Sequence, residues 1–196
     1  MMPQAERQVR LPMKSMTPTL PDQLCLHCGL CCDGTLFRDV ELQPDDDAAK
    51  LRALGLPIPQ SALRVPRFQQ PCSALCPDLK CRVYADRPSR CRQFECALFQ
   101  AVALGRAELP AALKVVRQTR QMAEKVRRFL GELGDAGETI ALAKRFKRLK
   151  RKFDAGELPA GLDAETAYDR FAELSLAVHE LDLRLRGKFY PDPSDG

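Results

Sequence analysis

Nine cysteines lie between positions 25 and 96, and none lies elsewhere in the 196 residues. The first group, CLHCGLCC, supplies Cys25, Cys28, Cys31 and Cys32. The second, PCSALCPDLKCRVYADRPSRCRQFEC, supplies Cys72, Cys76, Cys81, Cys91 and Cys96. A Cys-x-x-Cys pair is short enough to wrap one ion, and Gly29 lets the loop between ligands turn tightly. Zinc takes four such ligands in a tetrahedron with Zn–S near ~2.3 Å. The three-step spacing of Cys25, Cys28 and Cys31 is equally that of the three-cysteine loop of bacterial ferredoxins. Spacing alone therefore leaves zinc, iron and a [4Fe-4S] cluster open. The adjacent Cys31 and Cys32 point their side chains apart. One cysteine for each of two centres, or a bridge within a polynuclear cluster, is easier than both on one ion. The plainer alternative makes Cys32 a small buried hydrophobe.

A four-thiolate zinc site or a cubane cluster carries a formal charge of about −2, which needs donors and cations around it. Arg82, Arg87, Arg90 and Arg92 fall within eleven residues of the second group. Guanidinium groups suit thiolate sulfurs and keep their proton. Arg87 and Arg92 are the expected compensating pair, and Arg82 and Arg90 read as solvated surface. His27 lies between two candidate ligands, yet enough thiols are present without it, so an exposed loop residue is the simpler reading. His179 reads as a surface residue of a helix. With only two histidines, no cysteine has an evident base, and nucleophilic catalysis is not expected.

CLHCGLCC followed by CRVYADRPSRCRQFEC resembles the YkgJ-type CxxCxxCC cysteine-cluster family, described as zinc- or iron-chelating. The matching positions are Cys25, Cys28, Gly29, Cys31, Cys32, Cys72, Cys81, Val83, Tyr84, Arg87, Pro88, Cys91, Arg92, Phe94 and Cys96. The resemblance covers roughly residues 22–100. It implies a ligand set of Cys25, Cys28, Cys31, Cys32, Cys72, Cys81, Cys91 and Cys96, with Cys76 an addition to the pattern. A flagellin lysine methylase shares such a cluster. No glycine-rich loop after a strand stands here to hold S-adenosylmethionine, so methyl transfer has no support.

The compartment decides between metal and disulfides. The first 23 residues hold no apolar run long enough for a signal-peptide core, and no segment approaches 18 continuous apolar residues. A cytoplasmic chain is expected, where thiols stay reduced and clustered cysteines read as metal ligands. The odd count of nine also fits full pairing poorly.

The elements that must position these residues are mainly helical. Residues 1–21, with four prolines, read as a mobile tail, and 191–196 as a second tail. Residues 22–100 read as an irregular, metal-organised cysteine domain whose apolar core is thin. Within it, DDDAAKLRALGL reads as one short helix capped by Asp45 or Asp46 and ended by Gly55. Residues 101–190 read as a helical hairpin or three-helix extension. Leu109, Leu113, Val116, Met122, Val126, Phe129, Leu130 and Leu133 recur at helical spacing, and the Gly131–Gly137 region ends that helix. Ile140, Ala143, Phe146, Leu149 and Phe153 mark a second helix. Phe171, Leu174, Val178, Leu181 and Leu185 mark a third, capped by Asp163 with Glu165 near its positive end. No hairpin signal and no fixed-period repeat is evident.

Residues 114–153 carry thirteen Lys and Arg against four Asp and Glu, densest in KRFKRLKRK, 144–152. Such a face can meet a phosphate backbone, an acidic protein or an anionic membrane surface. It can equally be a solvated helix face, or pack on the acidic stretch 39–47. The expectation is a metal-binding protein in which zinc or iron is structural or chelated. An iron–sulfur redox protein or enzyme, and a basic helical module using metal as scaffold, are the alternatives.

Overall fold

The strongest periodicities in the sequence become the three longest helices. A computed structural model describes residues 19–60 and 65–191. Its helices are α1 (Leu20–Leu26), α2 (Ala48–Ala53), α3 (Ser89–Gln93), α4 (Ala97–Ala103), α5 (Leu109–Glu132), α6 (Leu142–Asp154) and α7 (Ala164–Lys188). Two three-residue strands, β1 (Asp39–Glu41) and β2 (Arg67–Gln69), pair antiparallel with Val40 opposite Phe68. The fold is mainly α, with a cysteine-rich region followed by long helices.

α5 packs chiefly on α7, and also on α6, α1 and α4. Val116, Ala123 and Leu130, spaced by seven, put one stripe of α5 into this core. Leu174, Ala177, Leu181 and Leu185 do the same from α7. The Asp163 side chain accepts from the Thr166 amide at 2.9 Å and starts α7, as expected of an N-cap. Phe153 stacks on Phe171 with ring centroids 4.3 Å apart, tying α6 to α7.

α6 departs from its expected stripe. Ile140 precedes the helix, Ala143 is exposed, and Arg145 is buried among Leu142, Leu149 and Phe153. Asp135, in the turn before α6, explains this. Arg145 Nε donates to its carboxylate at 2.6 Å and Arg148 takes the other oxygen, with the Asp135 side chain only 3% exposed. Burial works against the Asp135 anion, but the two arginines outweigh it and hold its pKa below the usual carboxylate value. Part of the basic run thus faces inward. Lys144 also reaches Asp39, at 3.9 Å, so the acidic stretch is met at one point.

Differences elsewhere come from local hydrogen bonding. α2 is capped by Asp47, which accepts from the Lys50 amide at 2.9 Å, and not by Asp45 or Asp46. Those two reach across to the start of α3. Asp46 accepts from the Ser89 amide at 2.7 Å and Asp45 from the Ser89 hydroxyl at 2.8 Å. Gly55, at φ +89°, follows α2 as expected. α1 begins inside the stretch whose prolines suggest a tail: Thr19 and Asp22 form a capping box, and Pro21 sits in the first turn. The rest of that stretch, 1–18, and 192–196 lie outside the described residues.

The apolar interior has two parts. The larger joins Leu24, Leu30 and Leu36 of the first cysteine segment to α4, α5, α6 and α7, so one core crosses residue 100. The smaller contains Val40, Leu42, Leu51, Leu56, Ile58, Phe68, Ala74 and Val83.

Candidate metal centre

The CLHCGLCC segment leaves α1 through a tight loop. The Cys28 amide donates to the Cys25 carbonyl, and the Cys32 and Asp33 amides donate to that of Gly29. Gly29 sits at φ +71°, the left-handed conformation that glycine adopts without penalty. Cys72 joins this loop directly, its amide donating to the Cys32 carbonyl at 2.7 Å. Cys81 closes a short turn, bridged to Leu75. Cys91 lies on α3, whose start is held by Asp45 and Asp46. Cys96 caps α4, its sulfur accepting from the Phe99 amide at 3.3 Å.

All nine cysteines are free thiols. Burial raises the pKa of the eight expected ligands, to about 11 at Cys25 and about 12 at Cys28 and Cys91. Repulsion between would-be thiolates adds to this and runs mostly within two groups, the exceptions being Cys31, raised also by Cys32, and Cys81, raised by Cys76. After burial, Cys25 is raised by Cys96, Cys28 by Cys96 and Cys25, and Cys31 by Cys28, Cys32, Cys96 and Cys25. Cys32 is raised by Cys72, Cys91 and Cys81, Cys91 by Cys72 and Cys81, and Cys72 by Cys81. The Cys31–Cys32 pair is where the two sets meet. Packing draws the same line. Cys28, Cys31 and Cys96 lie against the larger core, and Cys72, Cys81 and Cys91 against the smaller.

Backbone amides lie ready for sulfur. After burial, the N–H groups of Leu30, Ala74 and Val83 favour the thiolates of Cys28, Cys72 and Cys81, each two residues upstream. The Ala74 amide donates to Cys72 Sγ at 3.4 Å. Arg87 stacks over the Tyr84 ring at 3.6 Å, and its charge favours the thiolates of Cys25 in one set and of Cys81 and Cys91 in the other, against their burial. Arg92 donates to the Ser89 hydroxyl at 3.1 Å, behind α3. Arg82 is exposed, as expected, and donates to the Leu54 carbonyl at 3.3 Å; its charge also favours the thiolates of Cys72 and Cys81 against burial.

A cavity of about 540 Å3 is lined by Cys25, Cys28, Cys31, Cys32, Cys81, Cys91 and Cys96, together with Arg87 and Arg92. Phe37 and Phe94, edge to face at 4.7 Å, form part of its wall. Among the described residues, no three His, Cys, Asp or Glu side chains stand close enough to enclose an ion as they are. The donor chemistry nevertheless fits a thiophilic metal: a cluster of free thiols, amides directed at sulfur, and the Arg87 guanidinium beside them. Cys72 and Cys76 both lie outside the cavity lining, and Cys76, in the turn that ends at Cys81, repels the Cys81 thiolate. The His27 ring engages the Gln23 carbonyl at 2.8 Å, and His179 is exposed on α7.

No helix among the described residues is long and apolar enough to cross a membrane. Searches of curated proteins and of solved structures found no match to the chain. The model of the CxxCxxCC family, described as "Putative zinc- or iron-chelating domain", matches residues 24–124, just over half of the sequence, and the chain belongs to that family.

Proposed function

We propose that this protein holds zinc or iron in two four-thiolate centres, one formed by Cys25, Cys28, Cys31 and Cys96 and the other by Cys32, Cys72, Cys81 and Cys91. The observation that carries the reading is packing: Cys28, Cys31 and Cys96 rest on the larger core and Cys72, Cys81 and Cys91 on the smaller, with mutual repulsion running chiefly within the same groups. Adjacent Cys31 and Cys32 then serve different centres, which relieves the geometric conflict of two neighbours on one ion. Arg87 acts on thiols of both sets, and Arg82 supplements it at the second. Bound metal supplies cross-links between segments distant in sequence. The chain's own part is to bring the sulfurs together, give up their protons and shield the resulting charge. Binding requires each foursome to close on its ion, so loading is coupled to ordering. The role is structural or chelating.

A second reading, an iron–sulfur redox protein or enzyme, is favoured by the size of the cavity between the sets, which exceeds what single ions need. Metal analysis with an absorption spectrum of anaerobically purified protein separates the two. Two equivalents of colourless zinc support the first reading. Acid-labile sulfide with a broad visible absorption band supports the second. A protein that takes up neither metal contradicts both.

An anionic partner, such as an acidic protein or nucleic acid, rests on weaker ground. Lys144, Arg145 and Arg148 are engaged within the fold. Of the cations of 114–153 that make no ion pair among the described residues, Arg120 donates to the Cys28 carbonyl, which leaves Lys114, Arg117, Lys147, Arg151 and Lys152. They are the ones such a partner would use, with binding that weakens steeply in salt.

A further inference from the structure

Two arginines of α5 reach back more than ninety residues to the cysteine loop. Arg120 donates through Nη1 to the Cys28 carbonyl at 3.2 Å. Arg127 donates through Nη2 to the Asp33 carboxylate at 2.9 Å, to the Thr35 hydroxyl at 2.9 Å and to the Asp33 carbonyl at 3.3 Å. Seven residues apart, they lie on one face of the helix, separated by about 10 Å along its axis. The loop they grip runs from Cys28 to Thr35 and contains the point where the two thiol sets part. Arg120 holds the carbonyl of a ligand in the first set. Arg127 holds the residue directly after Cys32, a ligand in the second. Arg127 is one-quarter exposed and Asp33 less, so the pair is shielded enough for a charge-assisted bond to count. The family match runs on past the last cysteine to residue 124, into α5, so the matched unit includes part of this helix as well as the thiols.

We propose that Arg120 and Arg127 are positioning residues that set the two halves of the CxxCxxCC loop separately. Arg120 seats the first centre and Arg127 the second. This rests on the two-centre reading above. Neither side chain touches metal. Each fixes the backbone from which a ligand projects, and the expected consequence is on metal retention rather than on the folding of α5.

The test uses the full chain loaded with two equivalents of Co2+, whose thiolate charge-transfer and d–d bands report the coordination of each ion, and a chromophoric chelator to time release. Arg120→Ala is expected to speed release of one equivalent by roughly 10- to 100-fold, the usual effect of removing a group that orients a ligand. That fast phase should vanish in a Cys25→Ser background, where the first centre no longer forms. Arg127→Ala should speed release of the other equivalent, and its fast phase should vanish in a Cys91→Ser background. Arg120→Lys, able to reach a single carbonyl, should restore most of the slow rate. Arg128→Ala, which removes an exposed pair with Glu132 on the same helix, should change nothing. If Arg127→Ala yields no folded protein, Asp33→Asn takes its place under the same criteria. Acceleration of both equivalents alike, or of neither, overturns the proposal while leaving the two centres standing. Failure of Cys25→Ser and Cys91→Ser to remove one equivalent each overturns both.

Discussion

The two apolar clusters of this protein differ in what can hold them together. The larger is built from helices whose stripes are written in the sequence, and it is expected to survive metal removal. The smaller has eight buried residues drawn from two short strands, one short helix and several loops. Cys72, Cys81 and Cys91 pack against it, with Ala48 and Leu54. On the two-centre proposal, one centre would be set on a scaffold the helices already make, and the other would help to make its own. Small cores of this kind ordinarily need a staple.

Metal removal should expose that contrast most strongly. Structural metal contributes on the order of 10 kcal/mol in small domains. Hydrogen exchange on chelated protein should show amides of 39–91 losing protection while α5 and α7 keep theirs. The contrast has a pH signature of opposite sign in the two states. Bound metal competes with protons for the sulfurs, so the loaded protein should lose metal as pH falls. In the metal-free protein the thiols are neutral and buried, with pKa values raised above the ordinary 9.0. Burying them neutral adds stability that is complete below about pH 9 and is lost as pH rises through the folded values of about 11 to 12. Thermal melts of both forms across pH would check this.

Asp135→Ala strands Arg145 in the larger core and should cost about 3–5 kcal/mol in denaturant unfolding, with metal retention unchanged. Because the Asp135 pKa is depressed, its contribution is present at neutral pH and is lost as pH falls below the ordinary carboxylate value. Leu130→Ala, at a fully buried site of α5, should cost about 2–5 kcal/mol. Phe68→Ala, in the smaller core, should cost a similar amount, but appear chiefly as faster metal loss and exchange in 39–91. Asp163→Ala is the smallest change. It removes the cap of α7 and should lower stability by about 1 kcal/mol without affecting either centre.

What was legible follows the same division. Leu109 to Leu133 and Phe171 to Leu185 announce their helices because each stripe is fixed by one local period. The dense cysteine motifs announce the site because few chemistries use so many thiols. The proposed sorting of those thiols rests on tertiary placement: α4, which Cys96 caps, packs on α1, and the Cys72 amide bonds to the Cys32 carbonyl. Nothing in residues 68–96 alone says so. Likewise, Arg145 reads as surface until Asp135 is seen to sit beneath it. The pairing of β1 with β2 joins three-residue segments about 28 positions apart, too short and too distant to give a pattern.

The most direct measurement is the metal stoichiometry of Cys25→Ser and Cys91→Ser beside the parent protein, taken under anaerobic conditions with the spectrum of the remaining metal. Two independent centres require each variant to keep one of two equivalents, and the double variant to keep none. Loss of all metal in either single variant, or full retention in both, would contradict the partition.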